Sequence, residues 1–325
     1  RIMRDLSGLM TTIDSMLAVG VPFAAYALPG EEKYVFVRNR EDGPFRMVPW
    51  SSDAPAGGAV WNRSTPRGEY DRAVEAIKNS HTPESGKTVL SRAICGRLAD
   101  GRSFGGVFAD LLGRFPDTLR YIAWSPGTGG WLGATPEVLG SLNGDVFRTM
   151  ALAGTRPAAE CGPWDEKNLR EHRMVADFII ECIQAHGAQA MVDETAEMPY
   201  GEITHLCTLI GAVMPPDLTF DVLLRDLHPT PAVAGTPRDR AIRDIAALEA
   251  HPRRYYAGYI DISDTDGLRD AFVNLRCLNF DPVTREVCIY AGGGITALSD
   301  PQREWDEARR KAQPLIDLVF DNYTE

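Results

Sequence analysis

The sequence predicts an α+β protein built on large antiparallel sheets, and three observations carry that expectation. Two blocks, around residues 119–152 and 256–291, are rich in apolar, β-branched and aromatic runs that read as strands. Inside the first block the connections are short turns, Pro126-Gly127 and Asn143-Gly144, the second a strong hairpin signal. Parallel strands would need crossovers of a dozen residues or more. Each block is followed by helical patterns, which suits segregated α+β architecture better than a doubly wound sheet.

Taken in order, residues 6–17 carry a helical pattern. Residues 22–28 and 34–38 are strand-like and are separated by Pro29-Gly30, a turn signal. Residues 40–66 are polar and rich in Gly, Pro and Ser. They read as the most flexible region, with one strand at 45–50. A helix is expected over 68–80, a strand over 87–92, and a helix over 104–115 closed by Pro116. A single meander of four strands follows: 119–125, 131–134, 137–142 and 145–152. Residues 165–185 form a long amphipathic helix, with shorter helices at 219–227 and 237–248. Strands are expected at 256–262, 270–280 and 286–291. A Gly-rich loop, Gly292-Gly293-Gly294, then leads to a C-terminal helix from Pro301, which Ser299 or Asp300 can cap. There is no internal repeat and no clean domain boundary.

Composition narrows the function. The chain has 325 residues, 44% of them hydrophobic and 24% charged, which is ordinary for a globular protein. No apolar run reaches the ~18 residues a spanning helix needs. The basic start, Arg1 to Arg4, is followed by Asp5 and not by an apolar core, so no secretory leader is expected. A net charge of −11 argues against nucleic acid or an acidic membrane as the main partner. An anionic ligand would need a local positive pocket or a cation. The six cysteines have no zinc-type spacing and read as reduced thiols packed in a cytoplasmic protein.

Several residues are candidates for chemistry. Glu304, Glu307 and Lys311 share one face of the last helix, and Glu171 stands on the helix at 165–185. Two readings are open: solvated faces held by charge pairs, or carboxylates for Mg²⁺, which takes one or two protein carboxylates together with substrate oxygens. Lys87 opens an apolar strand, where it either blocks edge pairing or, if buried, loses its proton and acts as a base. Glu137 stands where a strand begins, either as a turn residue or as an acid with a raised pKa. His205 lies between apolar residues and reads as a core histidine or a site residue. Arg276 interrupts a strand that reads as interior, where it needs a carboxylate from protein or ligand. Gly154-Thr155 offers N–H groups and a hydroxyl to an anion, or is a turn.

In order, these residues fall in motifs that resemble a known family. The motifs are Lys87-Thr-Val-Leu-Ser-Arg92, Gly133-Ala-Thr-Pro-Glu137, Leu152-Ala-Gly-Thr155, Lys167-Asn-Leu-Arg-Glu171-His172, His205-Leu-Cys-Thr208, His228-Pro-Thr-Pro-Ala-Val-Ala-Gly235, Arg254-Tyr-Tyr-Ala-Gly258, Leu275-Arg276, Gly292-Gly-Gly-Ile295 and Glu304-Trp-Asp-Glu307-Ala-Arg-Arg-Lys311. The chain resembles the chorismate-utilising enzymes, which include isochorismate, salicylate, anthranilate and aminodeoxychorismate synthases. The resemblance implies one domain over 1–325, with 85–320 as the family core and 1–80 as a variable part of the same fold. Two stacked antiparallel sheets would carry helices outside and the site in a cleft between them.

For the site, the resemblance implies Mg²⁺ between Glu171 and Glu307, with Glu304 in support. Arg276, Tyr256, Lys311 and the backbone of Gly292, Gly293 and Gly294 would contact the enolpyruvyl carboxylate side of chorismate. Gly154 and Thr155 would hold the ring-carboxylate end, with His205 near the pyruvyl group. Lys87 would activate water, and Glu137, protonated, would donate to the leaving hydroxyl. Lys87, where anthranilate synthases carry glutamine, and Ala232, where amine-using and salicylate-forming members tend to carry threonine, point to isochorismate synthase. The alternatives are salicylate synthase, then aminodeoxychorismate synthase. A monomer with no obligatory amidotransferase partner is expected.

Overall fold

The structure, a computed structural model, describes residues 2–3, 5–38, 43–51, 58–82, 86–264, 267–321 and 323. Much of the polar stretch read as flexible, residues 40–42 and 52–57, lies outside the described residues, as do Arg1 and Arg4 of the basic start. The described residues form two antiparallel sheets and seven helices: α1 (Leu6–Val19), α2 (Arg67–Ser80), α3 (Phe104–Arg114), α4 (Glu166–Ala185), α5 (Phe220–Leu227), α6 (Arg238–Leu248) and α7 (Pro301–Val319).

One sheet has nine strands, in the order Ile2–Met3, Tyr34–Arg38, Phe23–Ala27, Leu119–Ser125, Gly129–Thr135, Cys277–Phe280, Glu286–Ile295, Lys87–Arg97 and Gly235–Thr236. The other has eight. Seven run Met191–Val192, Ile203–Val213, Val146–Pro157, Val138–Asn143, Arg269–Val273, Tyr259–Ser263 and Phe45–Val48, and Ala196–Tyr200 pairs alongside Ile203–Val213.

Period-two alternation sorts the side chains of the nine-stranded sheet. Along Phe23–Ala27, Tyr26 faces the other sheet, and its ring stacks 5.5 Å from Phe45, which in turn lies 6.0 Å from Tyr121. Phe23, Ala25 and Ala27 face the opposite way, into a core shared with Leu9 and Ile13 of α1, Phe108 and Leu111 of α3, and Ala312 and Leu315 of α7. Each fully buried Leu, Ile or Phe in these layers contributes roughly 1.5–3 kcal/mol of transfer free energy. Helix α4 packs on the strands Val146–Pro157 and Ile203–Val213 of the other sheet.

The expected single meander does not exist. Its first two strands lie in the nine-stranded sheet and its last two in the eight-stranded sheet. The chain changes sheets at Pro136-Glu137, where proline has no N–H to continue a ladder. The strand expected over 270–280 is likewise two strands in different sheets, broken at Asn274-Leu275-Arg276. Arg276 is therefore not a strand residue. It sits at the break with φ 48°, a left-handed conformation that costs a non-glycine residue roughly 1–2 kcal/mol. The two sheet changes are bonded together: Ala134 N donates to Arg276 O at 3.1 Å, and Val273 N to Glu137 O at 2.9 Å.

Three further expectations shift. Gly292, Gly293 and Gly294 are not a loop but the end of the strand Glu286–Ile295, opposite Ser91, Leu90 and Val89. The long strand Ile203–Val213 has no counterpart among the expected elements. The strand expected from Tyr256 begins at Tyr259.

Candidate active site

A cleft opens where the two sheet changes meet, and it gathers nearly every candidate residue. Lys87 and Val89 come from one strand and Gly292 to Gly294 from its neighbour. Glu137 and Arg276 come from the sheet changes themselves. Gly154, Thr155 and His205 come from two adjacent strands of the eight-stranded sheet, and Tyr256 and Ala232 from segments between elements. Glu171 projects from α4, and Glu307 and Lys311 from α7. Glu304 is the exception. It is buried one turn before Glu307 and lines a neighbouring cavity that shares Thr155 and Glu307 with the cleft.

Local sequence explains each placement. Asp300 caps α7 by accepting from Arg303 N at 2.9 Å, and Pro301 occupies the first turn. That start sets Glu304, Glu307 and Lys311 against the glycine strand. A Cβ built on Gly294 would lie 2.5 Å from Glu171 Oε2, and one on Gly293 3.1 Å from Glu307 Oε1. Glycine lets two carboxylates rest on this backbone. Gly154 has φ 78°, and Thr155 N donates to Asn168 Oδ1 at 2.8 Å, which ties that strand to α4. The segment carrying Ala232 is held beside Lys87 by Val89 N donating to Ala234 O at 2.8 Å.

The cleft is dense in charge. Lys87, 1% exposed, stands 3.8 Å from Glu171 Oε2. Burial pushes its pKa below the usual lysine value, and Lys167 and Lys311 add to this while Glu171 and Glu137 oppose it. Burial drives Glu137 the other way, up to about 8, against the pull of Lys87, Arg276 and Lys311. Lys311 Nζ donates to Glu307 Oε1 at 2.6 Å and to Gly292 O at 3.0 Å. Burial alone would raise Glu307, but Lys311 and Lys167 outweigh it and hold the carboxyl at about 2. Burial lifts Glu304 to about 7. Arg276 Nη2 donates to His205 Nε2 at 2.9 Å, which leaves Nδ1 to donate to Gly154 O at 3.1 Å. That fixes a neutral imidazole, and burial with Arg276 and Lys311 nearby pushes its pKa down to about 3.

Residues 52–320 match the family of chorismate binding enzymes. The chain belongs to that family. It is 32% identical to the isochorismate synthase DhbC of Bacillus subtilis over 57% of this chain and 49% of that protein. It is 34% identical to the isochorismate synthase MenF of Escherichia coli over 61% of this chain and 47% of that protein. The chain thus spans about half the length of these relatives. The solved structure of the menaquinone-specific isochorismate synthase from Escherichia coli covers 98% of this chain and 84% of its own, with TM-score 0.70 at 21% identity. Anthranilate synthase component I from Streptococcus pneumoniae shares the fold with TM-score 0.66, at 23% identity over 80% of this chain and 61% of its own.

No helix among the described residues is long and apolar enough to cross a membrane. One charged residue of the site stands outside those singled out from the sequence. Lys167 Nζ lies 2.8 Å from Glu171 Oε1 and 3.0 Å from Glu304 Oε1. Its i,i+4 spacing to Glu171 was the available signal, although such pairs are usually surface features. Among the described residues no three His, Cys, Asp or Glu side chains form a ready metal cage. The donor set still fits a hard cation that keeps water and shares substrate oxygens. Glu171, Glu304 and Glu307 supply only oxygen, Glu304 Oε2 is buried without a hydrogen-bond partner, and the glycine backbone gives the carboxylates room.

Proposed function

We propose that this chain is an isochorismate synthase, converting chorismate to isochorismate in a Mg²⁺-dependent reaction. The carrying observation is the pair Lys87 and Glu137, in one buried cleft, with pKa values displaced in opposite directions. A lysine pushed down and a glutamic acid pushed up to about 8 are a base and an acid usable near neutrality. Relatives named isochorismate synthases, among them the vibriobactin-specific enzyme of Vibrio cholerae, support the reading, as does the presence of lysine at position 87.

In this mechanism neutral Lys87 takes a proton from a water attacking ring C2. Both conjugated ring double bonds shift by one position, and the C4 hydroxyl leaves as water with a proton from Glu137. Arg276, Tyr256, Lys311 and the backbone of Gly292–Gly294 hold the enolpyruvyl carboxylate side, and Gly154 and Thr155 the ring-carboxylate end. His205, neutral and fixed by Arg276, shapes the pyruvyl end and carries no charge near pH 7. Glu171 and Glu307, with Glu304 behind them, would hold Mg²⁺, which when bound neutralises the ring carboxylate. Water, not ammonia, is the nucleophile, so no amidotransferase partner is needed. The product would feed menaquinone or siderophore synthesis. A reducing, cytoplasmic setting belongs to the same reading, supported by six cysteines that stand unpaired.

The test is to incubate purified protein with chorismate and Mg²⁺ and separate the products. Isochorismate, abolished by EDTA, is the expected result. Pyruvate as the main product would replace this reading with a lyase such as salicylate synthase. Amination of chorismate from ammonium salts would replace it with the aminodeoxychorismate branch.

A further inference from the structure

Lys167 has no part in the mechanism above, yet it occupies the centre of the carboxylate cluster. It leaves the first turn of α4, contacts Glu171 one turn on, and crosses to Glu304 of α7. Two of the three carboxylates assigned to the cation therefore already share one ammonium. A divalent ion cannot use the same oxygens from the same side without meeting that ammonium at close range, where repulsion in a low-dielectric site is strong.

The geometry points to Lys167 as a resident counter-ion that the divalent cation must displace. This inference rests on the assignment of Glu171, Glu304 and Glu307 to Mg²⁺. In the metal-free protein Lys167 neutralises Glu171 and Glu304 and ties α4 to α7. On metal entry the ammonium turns out of the cluster and the oxygens pass to the cation.

Three observations support the exchange. The Lys167 side chain is 17% exposed, whereas those of Glu171 and Glu304 are 7% and 3% exposed, so the lysine is the member with room to leave. It lines the neighbouring cavity, where Asp165 and Glu160 offer acceptors for a displaced ammonium. Glu304 Oε2, buried and unpartnered, is an oxygen of the cluster that the ammonium leaves open.

The experiment is calorimetric titration of the whole chain with Mg²⁺ alone, together with thermal melts in EDTA and in saturating Mg²⁺. The proteins compared are wild type, Lys167→Met and Lys167→Arg. Lys167→Met removes the competing charge and should bind Mg²⁺ at least about fivefold more tightly than wild type. Its melting temperature in EDTA should fall, and its rise on adding Mg²⁺ should exceed that of wild type. Lys167→Arg, which keeps the charge, should stay within about twofold of wild-type affinity. If Lys167→Met does not fold, Lys167→Gln enters the same comparison with the same expectation. Unchanged or weaker Mg²⁺ affinity in a folded neutral variant overturns the counter-ion role. A wild-type protein with neither heat nor a thermal shift on Mg²⁺ addition overturns the metal assignment itself, a separate outcome.

Discussion

Replacing Glu137 by glutamine keeps the shape of the side chain and removes its transferable proton. Glu137 is 4% exposed, and burial holds its pKa at about 8 against an ordinary 4.5. At ~1.36 kcal/mol per pH unit, that difference corresponds to about 5 kcal/mol. In the unfolded chain the carboxyl ionises as pH passes 4.5, whereas in the folded protein it ionises only near 8. Between those values the folded state binds the extra proton, so stability falls as pH rises. The contribution of Glu137 is complete below about pH 4.5 and lost above about pH 8. Glutamine has no such dependence. Urea unfolding at about pH 5, 6.5 and 8 should show Glu137→Gln gaining several kcal/mol on wild type across the series. The same variant should lose roughly 10²–10⁴-fold in kcat, and wild-type kcat should decline as pH rises past about 8. A variant retaining more than about a tenth of wild-type turnover would refute the acid role. A stability difference that does not change with pH would refute the buried, protonated carboxyl.

Lys87→Ala should abolish turnover while chorismate still binds, as measured by calorimetry; full activity would remove Lys87 as the base. Glu307→Ala should weaken Mg²⁺ and chorismate together, because it strips the partner of Lys311 as well as a proposed cation ligand; an unchanged metal requirement would count against it. Gly294→Ala places a methyl 2.5 Å from Glu171 Oε2 and 3.3 Å from Lys87 Cδ. It should cost roughly 1–3 kcal/mol of stability, read by urea melts, and should weaken Mg²⁺ binding in a direct titration. Ala232→Thr lines the cleft with a hydroxyl and should shift products towards pyruvate, read by a coupled pyruvate assay; no shift would show that position 232 does not set the outcome.

Helix ends and turns were legible in the sequence because they are local. The start of α7 follows from Asp300-Pro301, and the hairpin near Asn143-Gly144 from its own residues. Sheet membership was not legible. A strand looks alike whichever sheet it joins, so the change at Pro136-Glu137 resembled an ordinary turn and the break at Arg276 a polar interruption. Gly292–Gly294 misled for a related reason. Consecutive glycines favour a loop, and only the carboxylates of two distant helices show why a strand needs them. The strand Ile203–Val213 alternates poorly because it is buried on both faces over 203–208 and exposes Leu209 and Val213 beyond. The candidate residues that line the cleft were singled out through the order of their motifs. Their spacing alone left every one of them with an ordinary structural reading.

Charge balance explains why the parts of this cleft depend on one another. Glu171, Glu304 and Glu307 face Lys167, Lys311 and Arg276, while Glu137 stays protonated and Lys87 is pushed towards its neutral form. Above about pH 7, where Glu304 ionises, the fixed charges come close to cancelling. A dicarboxylate entering alone would add two negative charges to a nearly neutral, buried site, and a divalent cation alone would add two positive ones. Either entry is costly where the medium screens poorly. Together they restore the balance. On the proposed reading, substrate and Mg²⁺ each lower the cost of binding the other, and linkage requires the two effects to be equal. The proposed proton-transfer pair stands outside that balance. Lys87 and Glu137 can exchange their protons with the substrate without changing the net charge of the cleft, since one proton enters as another leaves. The sheet changes place Glu137, and the carboxylate helices, through Glu171, stand against Lys87. A fold with both strand pairs in one meander would have had no junction at which to bring them together.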